Sequence, residues 1–408
     1  MGFASILMLS LFISTGQCSY TKRDYASWID FDNGRWFTIY HLAPPLPPWG
    51  DVCDRMANRA FRYLVLGNTA DRDYFIEKQM ALANESYVDI FLGRKLLGAG
   101  AHPHGDRIGQ ALAEVYIAMR HTMTPTQRAK VEKWYHDFAQ YTWDNSGYAN
   151  HQATKAGFCA VVGYMTGDKA MLNNARKFLS FEDTWTIQED SRHYAGLIME
   201  RMFRIEVFSH NFNIPHSSKA NLAKQMRWVL STFPHNGFNP PFGDCWRQNE
   251  VDHYMEGLII ASYYLKDYDL ELARECKWLA ERMFEYGRNH STKAESLDIY
   301  EITSKNTLVQ TDKGVNPAMS MPSYVFQLNP IYLYWFLDES IVPKKPDINS
   351  YGSKVVYRLR DADGGDSNRD VDLGSFVNMI DKIVHRDSWE DDAIFVMVDP
   401  AHFTYKNH

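Results

Sequence analysis

Positive charge is the first thing this 408-residue sequence is short of. Its 43 Lys and Arg stand against 50 Asp and Glu, leaving a formal net charge of -7, and no Lys/Arg-rich block appears along it. Neutralising a phosphate backbone requires a basic surface, so nucleic-acid binding is excluded, whereas an acidic polymer held by a few local cations is not. Cysteine is scarce as well. The 5 cysteines show no metal-ligand spacing, which excludes a zinc ribbon or a disulfide-built scaffold; zero or one disulfide is expected among Cys53, Cys159, Cys245 and Cys276. There is no Gly-rich phosphate loop, no HExxH and no GxSxG, so the common signatures of nucleotide, zinc-protease and serine-hydrolase chemistry are missing. His102 and His104 in GAHPHGD read as loop histidines rather than as metal ligands. No apolar run is long enough to span a bilayer, and neither a sequence repeat nor a low-complexity tract is present.

Aromatic residues, in contrast, are plentiful: 24 Tyr, 23 Phe and 11 Trp make up 14% of the chain. Most of them belong in a large core, but Tyr and Trp also suit a cleft that stacks on sugar rings, because each joins an apolar face to a polar handle. The first residues carry an apolar run from Phe3 to Ile13, followed by small and polar residues. This pattern fits a secretory signal over 1–18, with Gly16 and Cys18 as the small residues before a cut ahead of Ser19. The expected localisation is therefore secreted, periplasmic or within the secretory pathway. Asn84-Glu85-Ser86 and Asn289-His290-Ser291 form glycosylation sequons.

After the proline-rich LAPPLPPWGD at 42–51, apolar residues recur at spacings of three and four. The pattern predicts helices over 51–66, 71–97, 107–122, 125–143, 151–166, 168–182, 193–212, 217–233, 251–266, 270–287 and 322–338. Thr124-Pro125 marks one start, and Thr166-Gly167-Asp168 marks a stop followed at once by a new start. Short connections between long helices predict antiparallel hairpins arranged as a toroid. From Tyr351 onward the character changes to alternating strands, in SKVVYRLRDA and DDAIFVMVDP, separated by Gly/Asp-rich turns. The expected fold class is mainly α, an incomplete (α/α) toroid followed by the start of a β-sandwich. The expected domains are the signal at 1–18, the toroid at 19–342 and the beginning of a β-sheet domain at 343–408, which looks truncated.

Two places could carry chemistry. In NHQATKAGFCAVVGYMTGD, 150–168, an amide and an imidazole precede a helix of small residues. Asn150 is expected to cap that helix and His151 to stand in its first turn, held firm because Ala153, Ala156, Gly157, Ala160 and Gly163 permit close packing. In IQEDSRHYAGLIMERMFRIEVFSHNF, 187–212, Tyr194, Ile198, Ile205, Phe208 and Phe212 fall near one helical stripe, so Tyr194 opens the inward face. Arg192 reaches the same space only if it lies in an irregular entry to the helix. Asp244 in the turn PPFGD and the cluster Asp252-His253-Tyr254 read more simply as helix-start residues.

With Asn150-His151-Gln152 and Ser191-Arg192-His193-Tyr194 in view, the chain resembles the heparinase II/III-like and oligoalginate-lyase-like superfamily. YANHQATKAGFCAVVGYMTGD is similar to the corresponding toroid helix of dermatan sulfate epimerase relatives, and NPPFGD and HRDSWEDDAIFVMVD are similar to later toroid and sandwich segments. The resemblance covers most of the chain through short, degenerate motifs. It implies a toroid followed by a sandwich, and chemistry on uronic acids: a proton leaves carbon five beside the carboxylate and the oxygen on carbon four is expelled. It implies that Asn150 hydrogen-bonds the carboxylate, that His151 neutralises it or acts as base, and that Tyr194 moves the proton. Arg192 would lower the phenol's pKa or bind the carboxylate, and Gln152 would join in substrate binding. Two departures bear on activity. The family's further catalytic histidine and metal-binding set follow the strand matched by AIFVMVD, where this sequence offers only His408; and Thr154 stands where heparin-cleaving relatives carry an acidic residue.

The expected activity is thus that of a carbon-oxygen lyase cleaving a uronic-acid-containing polysaccharide by β-elimination. The alternatives are a carbon-five epimerase on a glycosaminoglycan-like polymer, a hydrolase using two of Glu189, Asp190, Asp244 and Asp252, or a non-catalytic carbohydrate-binding fragment. The chemistry requires no cofactor or metal, although the resemblance allows a structural divalent metal in a complete sandwich, whose ligands this sequence lacks. The expected partner is an acidic polysaccharide, with no nucleic acid and no membrane span.

Overall fold

The computed structural model describes residues 19–39, 50–92, 105–145, 149–178, 207–208, 216–237, 250–251, 254–290, 298–302, 308–313, 325–361 and 376–398. The chain is mainly helical, with thirteen α-helices among the described residues and a small antiparallel three-stranded sheet near the C-terminal end.

The N-terminal part is nailed down by aromatic rings. Helix α1 (Lys22–Trp28) starts at a capping box, in which the Asp24 amide donates to Thr21 Oγ1 and the Thr21 amide donates back to Asp24 Oδ2. Its buried Tyr25 and Trp28 meet Phe284 and Phe326 at ring-centroid distances of 4.4 and 5.1 Å. Strand β1 (Phe37–Thr38) is tied to helix α2 (Gly50–Leu66) by Asn58, which accepts from the Phe37 amide at 3.0 Å and donates to the Phe37 carbonyl at 2.6 Å.

Helices α3 (Thr69–Leu82) and α4 (Tyr87–Phe91) occupy the stretch expected as one helix over 71–97. The break falls at Asn84-Glu85-Ser86. Asn84 folds its side chain back to the Met80 carbonyl, and Ser86 caps the second helix by accepting from the Asp89 amide; such residues compete with the helical ladder for backbone groups.

Helix α5 (Gly105–Met119) passes through a short 3-10 turn, Arg120–Thr122, into α6 (Pro125–Asn145). The Thr124 start is a capping box, with Thr124 Oγ1 accepting from the Gln127 amide and Gln127 Oε1 accepting from the Thr124 amide. Helix α7 (Ala149–Thr166) ends at Gly167, whose φ of +74° is the left-handed conformation of a C-terminal cap, and Asp168 then caps α8 (Lys169–Phe178) by accepting from the Ala170 and Met171 amides.

Helices α9 (His216–Thr232), α10 (Tyr254–Leu265) and α11 (Leu270–His290) complete the helical body together with α12 (Ile331–Phe336) and α13 (Ile348–Tyr351). Two expected helices are corrected here. The segment 251–266 begins helically only at Tyr254, after strand β2 (Glu250–Val251), and 322–338 opens with strand β5 (Val325–Gln327) and is helical only from Ile331. Strands β1, β5 and β2 form a parallel sheet in the order β1-β5-β2, with Phe37 opposite Phe326 and Glu250 opposite Val325. Antiparallel strands β3 (Asp298–Ile302) and β4 (Leu308–Lys313) add a further pair. Strand structure therefore also occurs ahead of residue 343 among the described residues.

The C-terminal sheet is β6 (Lys354–Asp361), β7 (Phe376–Arg386) and β8 (Phe395–Val398), in that order and antiparallel throughout. The first and last of these strands coincide with the alternating segments SKVVYRLRDA and DDAIFVMVDP, and β7 is an additional strand between them. Val356, Val384 and Arg386 are buried on the inner side, whereas Val355, Tyr357, Ile383, Val396 and Val398 are exposed. Arg386 docks the sheet onto the helices: its guanidinium donates to the carbonyls of Leu230 and Phe233 at the end of α9 and to that of Tyr351, and lies 3.5 Å from the Trp389 ring centroid. Carbonyls at a helix C-terminus lack intrahelical donors, so a cation satisfies both their hydrogen bonding and the negative end of the dipole. Burial holds the guanidinium well below its usual range, down to about 9.

Cys53, Cys159 and Cys276 are free, buried thiols, in keeping with the low disulfide count expected. Among the described residues no helix is long and apolar enough to cross a membrane.

Candidate functional site

Helix α7 supplies the part of the expected site that falls within the described residues. Asn150, His151 and Gln152 occupy its first turn, with the helix beginning at Ala149. Asn150 is therefore inside the helix rather than its cap. The register puts the first turn one turn ahead of Thr154, which is fully buried, and two turns ahead of Gly157.

Gly157 explains the run of small residues. A Cβ added there would lie 2.9 Å from Gln110 Nε2 on α5, so a larger residue at 157 requires the Gln110 side chain to shift. Ala156, Phe158, Cys159 and Ala160 are buried around it, and the Phe158 ring meets Phe138 of α6 edge-on at 5.1 Å. The helix is buried over this length, and its first turn continues the same rod.

Behind this contact lies a polar centre that sequence reasoning missed. Gln110 and Glu114 of α5, Glu256 of α10 and Asn329, between β5 and α12, are all buried. The Asn329 side-chain amide donates to Glu114 Oε2 at 2.9 Å and to the Ala111 carbonyl at 3.1 Å, while its backbone N–H donates to Glu256 Oε2 at 2.8 Å. The Asn329 side-chain oxygen accepts from the Ile331 amide at 3.3 Å, and Gln110 donates to Glu114 Oε1 at 3.4 Å. One asparagine thus joins α5, α10 and α12 by donating to one oxygen of each of two carboxylates. The sequence signal was present: Glu114 and Glu256 are single charges inside the apolar runs ALAEVYIAM and YMEGLIIA, and a lone charge in such a run requires a buried partner.

This centre is not the expected site. From Gly157 to Asn150 the helix advances about 10 Å along its axis at 1.5 Å per residue, so the first turn of α7 lies two turns ahead of the contact with Gln110. Tyr194, Arg192 and His408 lie outside the described residues, as do Glu189, Asp190, Asp244 and Asp252 and the loop histidines His102 and His104. The convergence of Asn150 and His151 with Tyr194 is therefore not part of the described geometry.

Two further histidine contacts complete the chemical inventory. His136 Nε2 lies 3.0 Å from Asp168 Oδ2, and this hydrogen bond, together with the amides that Asp168 caps, holds the Asp168 carboxyl below its ordinary range. Ser353 Oγ lies 2.6 Å from His385 Nδ1 on the exposed side of β7. A nucleophilic serine also needs its histidine oriented by a third group, and no carboxylate bonds His385 among the described residues. Among those residues, too, no group of three or more His, Cys, Asp or Glu is placed to hold a metal ion.

Comparison with protein-family models and with curated proteins finds no match to this chain.

Proposed function

We propose that this protein is a polysaccharide lyase that cleaves a uronic-acid-containing polymer by β-elimination. The observation that carries the reading is the position of Asn150 and His151 in the first turn of α7, whose following turns pack against α5 at Gly157 and Gln110. A carboxamide and an imidazole on a helix start suit a substrate carboxylate that must be neutralised before the adjacent carbon loses its proton. The high aromatic content and the net charge of -7 agree with sugar binding through rings and a few local cations.

In this mechanism Asn150 donates to the uronate carboxylate, and His151 neutralises it or serves as base. Tyr194 removes the carbon-five proton or protonates the leaving oxygen, with Arg192 and Gln152 binding substrate and His408 as a further candidate. The carbon-five electron pair forms the new double bond to carbon four as the bond to the glycosidic oxygen breaks, and that oxygen takes up a proton. The reading includes an incomplete toroid of helical hairpins, a C-terminal sheet belonging to a sandwich, and secretion through the leader at 1–18.

The test is incubation with alginate, glucuronan, chondroitin, dermatan and heparan, followed by ultraviolet absorbance of the unsaturated product. Absorbance should rise with at least one polymer and disappear in Tyr194→Phe, with His151→Ala losing turnover on some substrates. Full activity in both variants would discard the residue assignment. Exchange of the carbon-five hydrogen with solvent, without absorbance, would identify an epimerase instead.

A further inference from the structure

Helix α11 carries a buried carboxylate that lacks a cation. Glu281 is 4% exposed. Its Oε1 accepts only neutral donors, Ser19 Oγ at 3.2 Å and the Tyr20 amide at 3.3 Å. The nearest basic residue on its own helix, Lys277, is committed elsewhere: its ammonium donates to the carbonyls of Asp338 at 2.9 Å and Ile341 at 2.7 Å. Arg282 pairs with Glu285 and Asp391. Among the described residues no lysine or arginine forms an ion pair with Glu281. Burial accordingly pushes its carboxyl up to about 7, with Lys277 acting against the shift only through space. A carboxylate buried without a hydrogen-bonded cation is costly.

Ser19 and Tyr20 are held in place although they precede α1, the first helix among the described residues. The Tyr20 hydroxyl donates to Glu285 at 3.3 Å, its ring meets Phe284 edge-on at 5.2 Å, and Arg288 lies over that ring. Residues ahead of a first helix ordinarily fray unless something ties them down. In the sequence, the bond before Ser19 is the expected cut after the apolar run of residues 3–13, with small Gly16 and Cys18 in the positions that a signal peptidase reads.

We propose that hydrolysis of the Cys18–Ser19 peptide bond creates the cation that Glu281 lacks, so that the new α-ammonium of Ser19 docks on this carboxylate and locks the start of the mature chain to α11. Water adds across the bond: its hydroxyl goes to the Cys18 carbonyl carbon, its proton to the departing nitrogen, and the products are a carboxylate on Cys18 and an ammonium on Ser19. That ammonium is one residue from the amide already bonded to Glu281 and belongs to the residue whose hydroxyl is bonded to it. Processing and packing are thereby coupled, because the leader's removal converts a neutral contact into an ion pair inside a ring-lined seat.

The test begins with the full chain secreted from cells. N-terminal sequencing should read Ser-Tyr-Thr-Lys-Arg; a start at any other residue overturns the proposal. The second measurement is the rate at which an activated ester acylates the α-amine at pH 7, which reports the fraction present as free base. An amine raised by about one pKa unit should react about tenfold more slowly than an unpaired one. The mature chain should show this protection, and a chain with one alanine added before Ser19 should lose it. Glu281→Gln should lose it as well, and if that variant fails to fold, the alanine-extended chain decides alone. Equal rates in the mature and extended chains overturn the proposal.

Discussion

The centre of the helical body and the joint between helices and sheet bury charge of opposite sign. At the centre, Glu114 and Glu256 accept hydrogen bonds from one asparagine that links α5, α10 and α12. At the joint, Arg386 donates to carbonyls at the end of α9 and to Tyr351. Both solve the same problem, since a buried polar group must be partnered, but they draw on different resources. The centre needs two side chains and a third to bridge them, whereas the joint uses one side chain against backbone groups that any helix end leaves unsatisfied. The joint therefore concentrates its dependence in a single residue, and the centre spreads it.

That difference is open to a graded attack. Arg386→Ala removes the donor from two helix-end carbonyls and the cation from Trp389, and is expected to cost roughly 3 to 5 kcal/mol, measured as a shift in the denaturant midpoint. Asn329→Ala leaves Glu114 without its amide but spares the backbone bond to Glu256, so the expected loss is about 2 to 3 kcal/mol by the same measurement. A larger loss at Asn329 than at Arg386 would reverse the comparison.

Two smaller changes sharpen it by probing helix α7 at Gly157 and the turn that follows its C-terminal end at Asp168. Gly157→Ala forces Gln110 away and should cost about 1 to 2 kcal/mol. If the first turn of α7 depends on this contact, any turnover in the proposed polysaccharide assay should fall more steeply than stability does, read at a temperature where the variant is fully folded. Asp168→Ala removes the cap of α8 and should cost about 1 kcal/mol at neutral pH. The carboxyl of Asp168 lies below its ordinary range in the folded chain, so its contribution is fully present above the unfolded pKa and is lost as pH falls through the lowered value. The melting temperatures of Asp168→Ala and the parent chain should therefore converge in acid and separate on neutralisation.

Helix was the legible part of this sequence. The boundaries at Thr124-Pro125 and Gly167-Asp168 were readable because the cap residues act on amides two or three positions away. The 71–97 segment misled because its apolar spacing continues through Asn84 and Ser86, two residues that satisfy backbone groups with their own side chains. The 322–338 segment misled because a short apolar run has no period of its own. Of the candidate site, the sequence could nominate Asn150, His151 and Gln152 and the small-residue face behind them, but it offered no distance between α7 and any other element.

By itself the sequence determined the mainly helical character and the boundaries at Thr124-Pro125 and Gly167-Asp168, since an α-helix satisfies its backbone within its own segment and caps are local. Only the tertiary structure decided that Val325–Gln327 extends as the central strand of a parallel sheet, that Asn329 gathers Glu114 and Glu256, and that Arg386 closes the end of α9. Those outcomes depend on partners far away in the chain: 288 positions separate Thr38 from Phe326, 215 separate Glu114 from Asn329 and 153 separate Phe233 from Arg386. A strand and a buried polar side chain are completed by groups outside their own segment, and no local pattern names those groups.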